Sequence, residues 1–238
     1  MLVVVPSAAC QYSLVIPCHN EAGNIGPLLH EARMQLQNRP GGTEIIVVDD
    51  GSTDATPAEL ARAVADDPTC RVITFPANRG QAAALWHGLQ QSRGQILLTM
   101  DGDGQNDPAD FPAMLALLES NTADLVCGWR HQRQDSRLRL ALSRLGNTAR
   151  RALLHDGVRD GGCQIRVFRR AILDHLQCGP MFQSFLPAQA AAAGYRIANQ
   201  PVAHRPRRHG RAHYGLRNLS VMPARELMRA WLRRPSRP

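Results

Sequence analysis

Four aspartates fall within ten positions of the segment LLTMDGDGQNDPADF, residues 97–111. Asp101 and Asp103 come directly after an apolar run that ends at Met100. Two close carboxylates at a cleft repel each other unless a cation lies between them. Mg²⁺ and Mn²⁺ suit carboxylate, amide and phosphate oxygens, and Gln105 adds a neutral oxygen. The segment therefore predicts a divalent metal site that holds a diphosphate.

The same spacing also suits a structural turn, in which Asp and Gly supply local hydrogen bonds and left-handed backbone. A DxD pair alone does not separate these two interpretations. A second acidic segment, VVDDGSTD at 47–54, favours the ligand site. In it, Asp50 has the chemistry to accept hydrogen bonds from a nucleotide base, whereas Asp54 is expected to cap the helix that follows.

Short apolar runs alternate with helical stretches along the first part of the chain. Nearly continuous β-branched runs are typical of strands buried on both faces of a sheet. The predicted strands are 12–17, 44–49, 71–75, 95–100 and 124–129. The predicted helices lie near 22–37, 55–66, 80–92 and 108–120. This alternation predicts an α/β fold with a mostly parallel sheet and helices on both faces.

Polar motifs follow the ends of four predicted strands. They are HNE at 19–21, DDGSTD at 49–54, NRG at 78–80 and DGDGQND at 101–107. Open α/β sheets bind ligands in the crevice beyond the carboxyl ends of their strands. The acidic side chains are therefore expected along one edge of the sheet, where they face one ligand.

Charge divides the sequence into an acidic part and a basic part. Residues 1–127 hold 6 Arg and 15 acidic residues, a net charge of −9. Residues 128–238 hold 22 Arg and 5 acidic residues, a net charge of +17. Nucleic acid, phosphorylated ligands and an anionic membrane each suit the basic part, and so do solvated helix faces in an arginine-rich chain. Few aromatic residues lie among the arginines to stack on bases, which argues against a nucleic-acid-binding protein.

Beyond residue 129 the regular alternation ends. Residues 136–154 and 223–234 have amphipathic helical patterns, and further helices are expected around 169–177 and 183–193. The amphipathic segments suit either packing on the sheet or docking on a membrane surface. We expect packing for 136–154, and surface docking or partner binding for 223–234.

The six cysteines form no CxxC pair, and several fall in apolar runs. We expect them to be reduced thiols of a cytosolic protein, and the spacing does not favour zinc. The first residues lack the basic start of a secretory leader, and no apolar run reaches the length of about 18 residues needed to span a bilayer. Neither a leader nor a spanning helix is therefore expected.

Seven motifs occur in an order that resembles the inverting GT-A glycosyltransferases of family 2. They are VIPCHNE, VVDDGSTD, NRGQAAALWHG, TMDGDGQNDP, CGWR, DGGCQIRVFRR and HRPRRHGRAHYG. The branch they resemble is that of the polyprenyl-phosphate glycosyltransferases, which are related to dolichol-phosphate mannosyltransferase. The resemblance implies a GT-A domain over 1–215, with a nucleotide-sugar half (1–129) and an acceptor-side half with a basic flap (130–215). Residues 216–238 would form an amphipathic, Arg-rich C-terminal extension.

The resemblance also implies roles for individual residues. Those expected around the nucleotide sugar are Pro17, Asn20, Glu21, Asp49, Asp50, Gly80, Asp101, Gly102 and Asp103. Mg²⁺ or Mn²⁺ is expected as the cofactor, and the matching metal ligands are Asp101, Asp103 and Gln105. The phosphate-binding residues of the flap match Arg207, Gly210 and Arg211. Catalytic roles are expected for Asp103, Asp160, Arg130 and Arg166.

The implied reaction moves a sugar, with inversion, from a UDP- or GDP-linked donor to a polyprenyl phosphate. A phosphate monoester, with a second pKa near about 6, is largely dianionic at pH 7 and needs no base. Asp160 is the best candidate if a carboxylate approaches the nucleophile. The alternative is a family 2 enzyme with a hydroxyl acceptor on a soluble molecule, protein or polysaccharide, which requires a catalytic carboxylate.

The resemblance also bears on partners and location. We expect no nucleic-acid partner, and an oligomer is compatible with the sequence. The expected location is the cytoplasm, peripheral to the cytoplasmic face of the inner membrane. Contact with that membrane would be direct or through a separate membrane subunit.

Overall fold

The computed structural model describes residues 10–131, 146–148, 150–207 and 209. The described strands are β1 (Tyr12–Cys18), β2 (Thr43–Asp49), β3 (Cys70–Thr74), β4 (Ile96–Thr99), β5 (Leu125–Arg130), β6 (Arg166–Arg169) and β7 (Ile197–Val202). The described α-helices are α1 (Ile25–Leu36), α2 (Thr56–Asp66), α3 (Gln81–Gln91), α4 (Phe111–Glu119) and α5 (Phe182–Ala192). Shorter 3-10 segments cover Pro108–Asp110 and Arg170–His175, and residues 150–154 are helical.

The seven strands form one sheet in the order β3-β2-β1-β4-β6-β5-β7. Strand β6 runs antiparallel to both β4 and β5, and the other pairings are parallel. The predicted α/β class with a mostly parallel sheet is confirmed. The five predicted strands are present, with bounds that differ by one residue at most ends. Strands β6 and β7 were not predicted, because RVFR and IANQPV lack the continuous apolar run of the others.

Both faces of the sheet are covered by helices, as the apolar strands predicted. Leu14 and Ile16 of β1 face the core formed with α1, α2 and α4. Val15, between them, faces the second core, to which α3 and α5 contribute Leu85 and Leu186. All seven residues of β1 are buried, because the strand lies in the middle of the sheet with neighbours on each side.

The order of the strands places a crevice between β1 and β4. The chain leaves β1 towards β2 and β3, and then returns to pair β4 on the other side of β1. Ligands bind at such a reversal, beyond the carboxyl ends of the strands. Because β6 is antiparallel, its first residue, Arg166, pairs with Thr99 at the end of β4. An arginine is thereby brought to the acidic edge of the sheet.

Among the predictions for residues beyond 129, one helix is corrected by the structure and others fall outside the described residues. The helix expected around 169–177 is a 3-10 helix, Arg170–His175. Residues 132–145 and the whole extension 216–238 lie outside the described residues, so most of segment 136–154 and all of 223–234 stay predictions. Strands from both expected halves, 1–129 and 130–215, join the same sheet, and the boundary between the halves also stays a prediction. Among the described helices, none is long and apolar enough to cross a membrane.

The cysteines are free thiols in the structure. Cys18, Cys70, Cys127 and Cys163 are buried, whereas Cys178 is exposed. Burial raises the pKa of the Cys127 thiol to about 11, so it stays protonated near neutral pH. The expectation of core thiols therefore holds for these four positions.

Gly88 in α3 lies directly against two strands of the sheet. A Cβ added there would lie 2.5 Å from Val15 Cγ1 and 2.9 Å from Val48 Cγ2, and both valines are fully buried. Gly88→Ala should lower the free energy of unfolding by about 1–3 kcal/mol, because overpacking outweighs the gain in helix propensity.

Gly26→Ala in α1 is the matched control, since the nearest atom to its added Cβ is Glu59 Oε2 at 3.5 Å. Urea unfolding of both variants measures the difference. If Gly88→Ala is as stable as Gly26→Ala, the close packing of α3 on the sheet is wrong.

Candidate active site

The loops that follow β1 and β2 are joined by hydrogen bonds. Asn20, which has a φ of 54°, donates its backbone N–H to Ser52 Oγ at 2.9 Å and accepts from Thr53 N at 2.8 Å with its Oδ1. The backbone N–H of Glu21 donates to Thr56 Oγ1 at 2.8 Å. The predicted nucleotide-sugar residues of 17–21 and 49–54 therefore belong to one connected surface.

The two aspartates at the end of β2 have different surroundings. Asp50 accepts from the backbone N–H groups of Arg79 at 2.7 Å and Gly80 at 2.8 Å, so it holds the NRG loop in place. Asp49 accepts from Ser52 N at 3.0 Å with Oδ1, while its Oδ2 is buried and has no hydrogen-bond partner among the described residues. Asp49 thus has the unused acceptor, and contact of Asp50 with a base stays a prediction.

Two neighbours of these aspartates shape the loop that leads into α2. Asp54 Oδ1 accepts from the backbone N–H of Thr56, the first residue of α2, at 2.9 Å, but the N-cap position itself is held by Ala55 and not by Asp54 as predicted. Gly51 has a φ of 69°, and an added Cβ would lie 2.7 Å from the carbonyl carbon of Ala77. Glycine is needed there because the NRG loop crosses directly over this turn.

Asp101 and Asp103 lie at the carboxyl end of β4, beside the end of β1. Gln81 Nε2 donates to Asp101 Oδ1 at 2.5 Å, and Asp103 is buried. A Cβ at Gly102 would lie 3.2 Å from the carbonyl oxygen of Pro17, so glycine allows the two strand ends to approach. The structure therefore brings the expected acidic residues to the crevice at the strand-order reversal.

The carboxylates at this edge repel each other, as the sequence predicted. Burial raises the pKa of Asp101 to about 7, and the negative charge of Asp103 adds to the shift. The positive charges of Arg166 and Arg130 and the hydrogen bond from Gln81 act in the opposite direction. The balance leaves Asp101 poorly stabilised as an anion, and a cation in contact with it would remove that penalty.

The donor set fits Mg²⁺ or Mn²⁺. The described residues contain no group of three or more His, Cys, Asp or Glu side chains that would hold a metal by themselves. Two carboxylates suffice for Mg²⁺, which completes its shell with water and substrate phosphate. Gln105 Nε2 lies 3.5 Å from the carbonyl oxygen of Arg205, and a ligand role for Gln105 stays a prediction. Asp101 and Asp103 are thus the residues that would hold the ion.

The described residues of the flap cross the mouth of the crevice. Arg207 contacts Asp103 with an N–O distance of 2.7 Å and Glu21 with one of 3.5 Å. His209 donates its backbone N–H to Asn24 Oδ1 at 3.2 Å and accepts from Asn24 Nδ2 at 3.1 Å. The expected flap residues outside the described part of the chain are Gly210 and Arg211. The flap therefore already places a guanidinium group against the acidic edge.

Arg130 and Asp160 form a two-pronged ion pair. Arg130 Nε donates to Asp160 Oδ2 at 2.8 Å, and Nη2 donates to Oδ1 at 3.0 Å. The carboxylate also accepts from the backbone N–H of Gly162 at 3.1 Å. Both oxygens of Asp160 are engaged, so its position suits holding Arg130 rather than removing a proton.

Arg166 is 1% exposed, and its positive charge lowers the pKa of Asp101. Arg166 Nη2 donates to the carbonyl oxygen of Cys163 at 2.9 Å, while Nε and Nη1 have no hydrogen-bond partner among the described residues. Nearby Arg150 differs, because it pairs with buried Asp156 at 2.5 Å. Buried N–H groups without hydrogen-bond partners are costly, so the Nε and Nη1 groups of Arg166 suit an anion.

Some residues of the site were not singled out from the sequence. They are Asn24, Gln81, Arg150, Asp156, Gln183 and Arg205. Gln81 directly follows the NRG motif as the first residue of α3, which was an available signal. The sequence gives no such signal for the other five residues, because they reach the site through contacts between distant segments.

Comparison with known proteins decides the family. Residues 13–177 match the description "Glycosyl transferase family 2". The chain belongs to glycosyl transferase family 2. This match covers the first four strands with their polar loops, and it continues through β6.

The curated relatives include transferases of the polyprenyl-phosphate branch. The dodecaprenyl-phosphate galacturonate synthase of Rhizobium johnstonii is 35% identical over 215 residues, which cover 89% of this chain and 64% of that protein. The undecaprenyl-phosphate 4-deoxy-4-formamido-L-arabinose transferase of Pseudomonas fluorescens is 35% identical over 213 residues, 88% of this chain and 62% of that protein. The chain thus spans less than two thirds of the length of these relatives.

Solved structures confirm the GT-A fold of this family 2 chain. The mannosyltransferase PcManGT from Pyrobaculum calidifontis, solved with GDP-Man and Mn²⁺, has a TM-score of 0.70 at 20% identity and covers 98% of this chain and 67% of its own. The glucosyl-3-phosphoglycerate synthase from Mycobacterium tuberculosis, in complex with Mn²⁺, UDP and glucosyl-3-phosphoglycerate, has a TM-score of 0.68 at 21% identity. The match covers 97% of this chain and 82% of the synthase.

The raised pKa of Asp101 predicts how the stability of the metal-free protein depends on pH. The folded chain holds this proton more tightly than the unfolded chain, so the stabilisation is full below about pH 4 and is lost as the pH rises through about 7. The stability of Asp101→Asn relative to the wild type should therefore rise by about 2–3 kcal/mol from pH 5 to pH 8.

Urea unfolding in EDTA at both pH values measures this gain, with Asp66→Asn at an exposed position as the control. A difference between Asp101→Asn and wild type that does not change with pH would contradict the raised pKa.

Proposed function

We propose that this chain transfers a sugar, with inversion, from a nucleoside diphosphate sugar to a polyprenyl phosphate. The observation that carries the proposal is the buried guanidinium group of Arg166 near the acidic edge, whose Nε and Nη1 have no hydrogen-bond partner among the described residues. Its N–H groups match the oxygens of a phosphate, with which arginine forms strong charge-assisted hydrogen bonds. The site then has two anion-binding parts, one on each side of the reacting sugar.

The donor part is the crevice between β1 and β4. Asp101 and Asp103 would hold Mg²⁺ or Mn²⁺, which supplies positive charge to the diphosphate when bound. Arg207 lies at the same carboxylates, so its guanidinium group is placed to stabilise charge on the departing nucleoside diphosphate. The solved relatives that share the fold contain UDP or GDP-Man with Mn²⁺, which supports a UDP- or GDP-linked donor.

The acceptor part contains Arg166 and Arg130. A phosphate monoester is already largely ionised at pH 7, so it attacks without a general base. The engagement of both Asp160 oxygens fits this kind of nucleophile, because Asp160 then serves to orient Arg130. The names of the curated relatives, which specify dodecaprenyl and undecaprenyl phosphate, support a lipid phosphate as the acceptor.

A lipid acceptor also requires access to a membrane. We propose that the protein works at the cytoplasmic face of the membrane that holds the lipid phosphate. The net charge of +17 over residues 128–238 favours an anionic surface. Direct contact and a separate membrane subunit both remain compatible with this arrangement.

A transfer assay tests the proposed reaction. The protein is incubated with Mn²⁺ or Mg²⁺, a panel of UDP- and GDP-sugars, and undecaprenyl phosphate in detergent. We expect labelled sugar to enter the organic phase when undecaprenyl phosphate is the acceptor. We expect none to enter it with undecaprenol, the matched acceptor that lacks the phosphate. Equal donor turnover without lipid, or transfer to a hydroxyl acceptor, would overturn the proposal in favour of the alternative family 2 activity.

Asp160→Asn distinguishes an orienting role from a basic one. If Asp160 orients Arg130, the variant should raise the KM for lipid phosphate while kcat falls less than about tenfold. If it is a general base, kcat should fall by about 10²–10⁴. Steady-state kinetics with varied acceptor measures both constants, and Asp174→Asn at an exposed position is the control. A large loss of kcat with an unchanged KM would support the hydroxyl acceptor.

Arg166→Met separates function from stability. The variant should be about as stable as the wild type, because it removes a buried charge with two unsatisfied N–H positions but also the hydrogen bond to Cys163. The apparent affinity for lipid phosphate should fall by about tenfold to a hundredfold, since hydrogen bonds to a charged group are lost.

Arg150→Met is the matched control, because it breaks a buried ion pair and should cost about 3–5 kcal/mol of stability. Urea unfolding and acceptor kinetics test the contrast between the two variants. A strong destabilisation by Arg166→Met, with unchanged acceptor kinetics, would show that Arg166 is structural.

A further inference from the structure

Two glutamines from different helices form a hydrogen-bonded chain that ends on Asp101. Gln81, the first residue of α3, donates from Nε2 to Asp101 Oδ1 at 2.5 Å. Gln183, the second residue of α5, donates from Nε2 to Gln81 Oε1 at 3.2 Å. This chain links the acceptor-side half of the protein to the candidate metal site.

The carboxylate of Asp101 determines how both amides are turned. Gln81 presents its NH₂ group to Asp101 Oδ1, which accepts the hydrogen bond. The Gln81 oxygen then faces Gln183, which must present its own NH₂ group. The Gln183 Oε1 is consequently turned away, and it is buried without a hydrogen-bond partner among the described residues. The hydrogen bond from Gln183 Nε2 to Gln81 therefore leaves Gln183 Oε1 without a hydrogen-bond partner among the described residues.

The helices that carry the glutamines are fixed against each other. Trp86 of α3 and Phe182 of α5 make an edge-to-face contact with ring centroids 5.2 Å apart. Asp101, in contrast, follows the last residue of β4 by two positions and lies outside the pairing of β4 with β1. The hydrogen bond from Gln81 occupies Oδ1 and transfers the rigidity of the two helices to the carboxylate.

We propose that Gln81 and Gln183 are positioning residues that orient Asp101 for binding the divalent cation. Gln81 acts directly on the carboxylate, and Gln183 acts through Gln81. This inference rests on the proposed function, because it concerns the metal site of the donor part. Loss of an outer partner of a metal ligand typically lowers metal affinity by about 10- to 100-fold.

Calorimetric titration of Mn²⁺ in the presence of UDP, and separately of GDP, tests this inference without turnover. Gln81→Ala should weaken Mn²⁺ binding by about 10- to 100-fold. Gln183→Leu should weaken it by a smaller factor. The double variant should bind Mn²⁺ as Gln81→Ala does, because Gln183 has no effect once Gln81 is absent.

Matched controls exist on both helices. Gln91→Ala changes an exposed glutamine at the other end of α3, and Gln189→Ala changes a glutamine of α5 that bonds the backbone of Gln177. Both should bind Mn²⁺ as the wild type does. If Gln183→Leu does not fold, as judged by circular dichroism, Gln183→Glu keeps the shape but cannot donate when ionised. It should show the same loss of affinity.

The possible outcomes separate this inference from the proposed function. Unchanged Mn²⁺ affinity in Gln81→Ala would overturn the inference while leaving the metal site intact. Additive losses in the double variant would show that Gln183 acts independently of Gln81, which also overturns it. A wild-type protein that binds no Mn²⁺ with either nucleotide would overturn the metal site, and both proposals with it.

Discussion

The repulsion between Asp101 and Asp103 at the end of β4 is the constraint around which the site is arranged. Each carboxylate is compensated from a different part of the chain. Gln81 donates to Asp101, while Arg207 of the flap lies 2.7 Å from Asp103. These contacts do not remove the penalty, since the pKa of Asp101 is still raised to about 7. The remaining deficit of positive charge is what a divalent cation and its bound diphosphate would satisfy.

The antiparallel strand β6 brings a positively charged side chain to the acidic edge of the sheet. Residues 1–127 carry a net charge of −9 and residues 128–238 one of +17, so the cations come from the later part of the chain. The β4–β6 pairing sets Arg166 opposite Thr99, two residues before Asp101. Asp160 holds Arg130 in the same region. The acidic and the basic side chains are therefore brought to the same edge of the sheet, where the sugar would be transferred.

The sequence allowed the acidic edge to be predicted because its residues follow buried apolar strands. Strands β1 to β5 have continuous apolar runs, whereas β6 begins and ends with arginine and β7 contains Asn, Gln and Pro. Those two strands were therefore missed, although β6 is largely buried and β7 pairs along its whole length with β5. Gln81 follows a predicted motif, but nothing in the sequence links it to Gln183. The two glutamines are 102 residues apart, and the packing of α3 against α5 brings them together.

Calorimetric titration of UDP and GDP into the protein, in Mn²⁺ and in EDTA, tests the central electrostatic claim most directly. The account predicts that at least one nucleotide binds with one-to-one stoichiometry in Mn²⁺, and that this binding is lost both in EDTA and in Asp103→Asn. Nucleotide binding of the same affinity in EDTA would contradict the account. The account requires a cation between the two carboxylates and the diphosphate, since these negative charges otherwise repel each other.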